Sequence, residues 1–168
     1  ALARTAFGND PSLFGDNLSD AEQVRQTRRL LRLNPWNPML WSDFSRHFAS
    51  VGNRDRAKRC MQVAMALAPN HRWMLRTASR FMAHQGERVE AHKLLANHPR
   101  TRHDPWLLAA EIACAQAAGR SPKYWGLAND IIRSGVYAPQ HTSELATAIA
   151  MMQLEAGDKK KARKIVEK

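Results

Sequence analysis

Apolar residues recur at helical spacing along most of this chain, and the stretches they mark fall into pairs split by a glycine. The first stretch starts at Ser19, whose distance from Glu22 is that of a capping box, and it places Val24, Leu30 and Leu31 inward as far as Leu33. Pro35 prevents its continuation. The spacing then predicts helix pairs over 38–50 with 54–67, 71–84 with 87–97, 105–118 with 122–133, and 142–155 with 158–168. Asn37-Pro38, Asp104-Pro105 and Ser121-Pro122 each put a capping side chain directly before a proline that tolerates the first helical position. Asn70 is a further expected cap, and Thr142 or Ser143, after Pro139, is expected to open the last pair. Residues 1–18, with Gly8, Pro11 and Gly15 among polar residues, read as an irregular lead-in that packs through Phe7, Leu13 and Phe14.

Two ladders run through these pairs. Gly52, Gly86, Gly119 and Gly157 lie 34, 33 and 38 residues apart, and Ala57, Ala91, Ala128 and Ala162 lie 34, 37 and 34 apart. The alanine follows its glycine by five residues in three units and by nine in the third, so one insertion of four residues explains both irregularities. Four residues make about one helical turn. The insertion falls at Arg120–Lys123, so the second helix of that pair is expected to start one turn early on the Ser121-Pro122 cap, carrying Tyr124 and Trp125. A period near 34 marks a helical-hairpin repeat.

Composition narrows the partners more than the fold. The chain has 26 basic against 15 acidic side chains, a net charge of +11, and the excess is steepest over residues 71–105, with 7 against 3. Such a balance favours anionic partners: acidic peptides, nucleic acid or a membrane surface. No run of 18 apolar residues is present, so no membrane span is expected. Cys60 and Cys114 lie in apolar helical stretches without a CxxC spacing, and read as buried thiols of a reducing, cytoplasmic compartment. The chain opens at Ala1 and stops inside a helical stretch, and is expected to be a fragment of a longer protein, which leaves room for an upstream targeting signal.

At residues 38–71 the chain resembles a tetratricopeptide repeat, through Trp41, Phe44-Ser45, Phe48, Ala57, Met61 and Pro69, with Gly52 at the turn. The next unit carries Leu75, Ala78-Ser79, Met82, Gly86, Ala91 and Leu95, with its proline early at Pro99, so its second helix should be short. Leu108, Glu111-Ile112, Ala115 and Gly119 mark the third, where Glu111 stands in a usually apolar place. Ala146, Ile149-Ala150, Gln153, Gly157, Ala162 and Val166 mark the fourth. The resemblance implies an all-α, right-handed α-solenoid of antiparallel helix pairs over 19–168, with a partial unit 19–35 and units at about 38–71, 72–104, 105–142 and 143–168.

It also implies a function. In the family, the first helix of each pair lines a concave groove that binds a peptide or protein. By position that face carries Met39, Ser42 and Arg46, then Trp73, Arg76, Arg80 and His84, then Trp106, then Glu144, Thr147 and Met151. Arg76, Arg80 and His84 are successive i, i+4 neighbours, and with Trp73 and Trp106 they form the expected seat for an acidic partner. The plainer readings are a solvated basic stripe and tryptophans packed between repeats. The family's carboxylate-clamp asparagines have no counterpart here, so chaperone-tail binding of that kind is not expected. Arg25, Arg28, Arg29 and Arg32 form a second stripe, either an anion contact or a solvated face. Lys159, Lys160, Lys161, Arg163 and Lys164 resemble a nucleic-acid patch, but also suit the outer face of a helix whose inner face is Ala162, Ile165 and Val166.

Seven histidines match no zinc spacing, and no nucleophile elbow, phosphate loop or HExxH is present. The expectation is a protein-interaction module or scaffold with no catalytic residue, metal or cofactor, and of undetermined oligomeric state. The alternatives are a basic helical-repeat domain that binds RNA, and a scaffold segment of a larger enzyme or secretion machine.

Overall fold

The computed structural model describes residues 19–166, and the lead-in expected over 1–18 lies outside them. The described residues form α1 (Asp20–Leu33), α2 (Pro38–Ser50), α3 (Arg54–Leu67), α4 (Arg72–His84), α5 (Arg88–Asn97), a 3₁₀ turn (Thr101–His103), α6 (Pro105–Ala117), α7 (Trp125–Ser134), α8 (Pro139–Glu155) and α9 (Lys159–Val166). No strand occurs among them, so the chain is all-α as its periodicity predicts. Contacts divide it into two units, Ala1–Ala64 and Met65–Lys168, with the boundary inside α3.

Local chemistry explains most helix starts. Ser19 and Glu22 form the reciprocal capping box at α1. Asn37 Oδ1 accepts from the Met39 and Leu40 N–H groups at α2, and Asp104 Oδ1 from the Trp106 N–H at α6. Three expected starts are corrected. Asn70 does not cap α4: its Oδ1 lies 3.2 Å from His98 Nε2, its carbonyl accepts from Arg100, and the N-cap is His71. Helix α8 opens at Pro139, before Thr142 and Ser143, because a proline at the first position needs no N–H partner. The Ser121-Pro122 pair opens no helix, and α7 begins at Trp125.

The turn glycines confirm the ladder. At Gly86 the backbone is left-handed, φ +87°, with the Gly86 N–H on Ala83 O at 3.1 Å and the Glu87 N–H on Met82 O at 2.9 Å. The second of these bonds, which reaches back five residues, recurs from Asn53 to Phe48, Arg120 to Ala115 and Asp158 to Gln153, at 2.8 to 2.9 Å. An L-residue in that backbone is strained. The alanine ladder is steric instead: Ala57, Ala91 and Ala128 have no exposed surface and Ala162 has 3%. A methyl group is what the neighbouring helix leaves room for.

In unit 1, α1 packs on α2. Phe44 and Phe48 stack tilted at 4.5 Å, Trp41 meets Phe44 edge-on at 6.3 Å, and Ser45 Oγ donates to Ala57 O at 2.7 Å. In unit 2, α4 packs on α5 and on α6, and α6 packs on α8. Helix α6 serves two cores at once. Leu107, Ala110 and Cys114 join Leu75, Ala91 and Leu95, while Leu108, Ala109 and Ile112 join Ala128, Leu145 and Ile149. A helix apolar on nearly every side belongs inside. As Pro99 foretells, α5 is short, ten residues against fourteen in α3.

Candidate functional site

The packing of α4, α6 and α8 brings three side chains from three helices together. Arg76 of α4 lies over the Trp106 indole, 4.2 Å from its centroid, and its Nη2 is 2.5 Å from Glu144 Oε2 of α8. The Trp106 Nε1–H donates to the other oxygen, Glu144 Oε1, at 3.0 Å. One carboxylate is thus held at two points by a guanidinium and an indole. Cation–π contact of this kind contributes about 1 kcal/mol and fixes the guanidinium plane.

Trp106 is itself anchored from behind. Its backbone N–H bonds to Asp104 Oδ1, and Asp104 takes Arg72 through both oxygens, Nη2 on Oδ1 and Nε on Oδ2, each at 2.9 Å. Arg72 also lies 4.9 Å from the Trp106 centroid, and Arg100 approaches Asp104 at 3.8 Å. Asp104 is 7% exposed, so the carboxylate end of this fork sits largely out of solvent. Beside Arg76 and Glu144 opens a trough of about 380 Å³, floored by Ala109, Ala110 and Ala113 and edged by Gln116, Thr147 and Met151. Small side chains on α6 leave that space.

Of the expected groove residues, Arg76 and Trp106 come together, and Arg80 and His84 lie exposed along α4 with Trp73 half-buried. Arg76 is no open cation, however, because Glu144 already holds it. In unit 1, Met39 is half-buried and Arg46 is exposed but paired with Asp43 at 2.6 Å. Ser42 is a correction: it is fully buried with its Oγ unpartnered, so it cannot touch a partner. Its place on α2 turns it inward with Phe44 and Ser45. Arg25, Arg28, Arg29 and Arg32 are exposed on α1, and Lys159, Lys160 and Lys161 on α9.

Sequence reasoning missed a buried polar cluster. Glu111 of α6 has no exposed surface; its Oε1 lies 2.8 Å from His92 Nε2 of α5 and accepts the Lys123 backbone N–H at 2.8 Å. Lys123 Nζ and Tyr124 OH both donate to Ala96 O, at 2.8 and 3.1 Å. The four inserted residues therefore form a strap bonded to α5 and α6, and a backbone amide that would open a helix is taken by a buried carboxylate. Glu111 Oε2 and His92 Nδ1 are buried without partners. The signal was Glu111 itself, a charge inside an apolar helix.

Burial pushes the Cys60 and Cys114 thiols above their ordinary range. Both cysteines are free and buried. Among the described residues no three His, Cys, Asp or Glu side chains converge as metal ligands, and no helix is long and apolar enough to cross a membrane. The chain matches no protein-family model, and neither the curated proteins nor the solved structures contain a significant match to it.

Proposed function

We propose that this chain is a non-enzymatic protein-interaction module: a tetratricopeptide-like, right-handed array of antiparallel helix pairs that receives an acidic segment of a partner. The groove in this reading is the trough along α4, α6 and α8, with Arg80 as an exposed cation farther along α4, the exposed His84 one turn beyond it, and Arg76–Trp106 at its centre. One observation carries it: first helices of three consecutive units pack side by side and present a cation, an aromatic ring and an open trough on one surface. The turn and alanine ladders support the repeat, because the same hydrogen bonds close four turns. The excess of 7 basic over 3 acidic residues in 71–105 supports the sign of the partner.

The test is fluorescence anisotropy with a labelled decapeptide of alternating glutamate and alanine, against a lysine–alanine control. Arg80→Glu should weaken binding of the acidic peptide about tenfold or more while the helical circular dichroism stays unchanged. No preference for the acidic peptide over the control would overturn the reading.

A further inference from the structure

The contact between Arg76, Trp106 and Glu144 resembles a bound ligand more than a strut. A carboxylate is received on one oxygen by a guanidinium and on the other by an indole N–H, and the carboxylate comes from the chain itself, 68 residues along from Arg76. Its receiver is pre-organised: the Arg76 side chain is only 21% exposed and its guanidinium lies over a ring that the Asp104–Arg72 fork holds in place. Its occupant is not. The Glu144 side chain is 50% exposed at the mouth of the trough, and among the described residues no other hydrogen bond ties it down.

We infer that Arg76 and Trp106 form a carboxylate seat, that Glu144 occupies it as an internal stand-in, and that an acidic side chain of a partner segment enters by displacing Glu144. The inference rests on the groove reading above and names the point where the partner is recognised. Glu144 is the half-exposed partner of this pair and water can replace it there, so an incoming carboxylate at high local concentration competes with it. The self-contact also leaves Arg76 Nη1 buried without an acceptor. A carboxylate that takes the guanidinium by both Nη groups would satisfy it, which Glu144, stretched between arginine and indole, does not. Glu144 therefore sets a threshold: a partner must supply an acidic residue, and neutral or basic segments find the seat filled. Removing the stand-in raises the fraction of chains with an open seat, and apparent affinity rises by the same factor.

The experiment uses the full chain, the glutamate–alanine decapeptide, a single-stranded oligouridine of ten nucleotides, and the variants Glu144→Gln, Glu144→Ala, Arg76→Gln and Arg80→Glu. Anisotropy should show the acidic peptide binding about twofold tighter to both Glu144 variants than to the unmodified chain, and much more weakly to Arg76→Gln. In the nitrogen–proton spectrum the Trp106 indole resonance, assigned by its loss in Trp106→Phe, should move on peptide addition and should already be shifted in Glu144→Ala. If the peptide binds the unmodified chain and Arg80→Glu weakens it, but the Glu144 variants bind equally or less well, the stand-in role is overturned and the groove survives. If the acidic peptide binds no variant, both readings fall. If oligouridine alone moves the Trp106 resonance, the seat belongs to a phosphate backbone and the inference is wrong.

Discussion

Glu111 and Glu144 each carry a carboxylate from one helix of unit 2 to a cationic or polar partner on another, and their surroundings could hardly differ more. Glu111 is fully enclosed, with His92 and the Lys123 amide both on one oxygen. Glu144 is half exposed and spreads its two oxygens over Arg76 and Trp106. Burial decides what each can do. In a dry interior, losing a carboxylate strands its donors without water, which makes the Glu111 cluster a structural joint. At the surface water replaces a lost partner at little cost, so the Glu144 contact can open and close. The same residue type thus serves as a fastener in one region and as an exchangeable contact in the other.

That contrast can be broken by substitution. Glu111→Ala should cost the largest stability, about 3 kcal/mol in urea unfolding, because His92 Nε2 is left buried and unpaired and the Lys123 N–H loses its acceptor. A loss under about 1 kcal/mol would show that the cluster is not a fastener. Lys123→Ala should cost less, about 1 kcal/mol: it removes the Nζ bond to Ala96 O but keeps the amide bond to Glu111. The smallest effect belongs to the surface pair. A double-mutant cycle with Arg76→Gln and Glu144→Gln should give a coupling energy of at most about 0.5 kcal/mol, falling in high salt. A coupling of several kcal/mol would make Glu144 a second fastener and erase the difference between the two regions.

Helix positions and turns were legible because each rests on one residue's own limits. Gly86 is required by a left-handed backbone, Ala91 by a methyl-sized space, and Pro38 and Pro105 by an absent N–H. Where a cap has competitors, the same rules failed. Asn70 lost the start of α4 to bonds with His98 and Arg100, and the Lys123 amide went to Glu111 instead of into a helix. For the candidate site, the positions of Arg76 and Trp106 on first helices could be read, but not the pairing with Glu144 that changes their meaning.

By itself the sequence determined an all-helical chain, the period of its turns, the single irregular unit and the sign of its charge, because all of these depend on contacts within one helix or one turn. Only the tertiary structure decided which helices lie side by side, and with that the partners of Glu111, Glu144, Arg76 and the inserted strap. Lateral packing of helices carries no fixed sequence spacing: His92 and Glu111 are 19 residues apart, Arg76 and Glu144 are 68, and only the fold makes them neighbours.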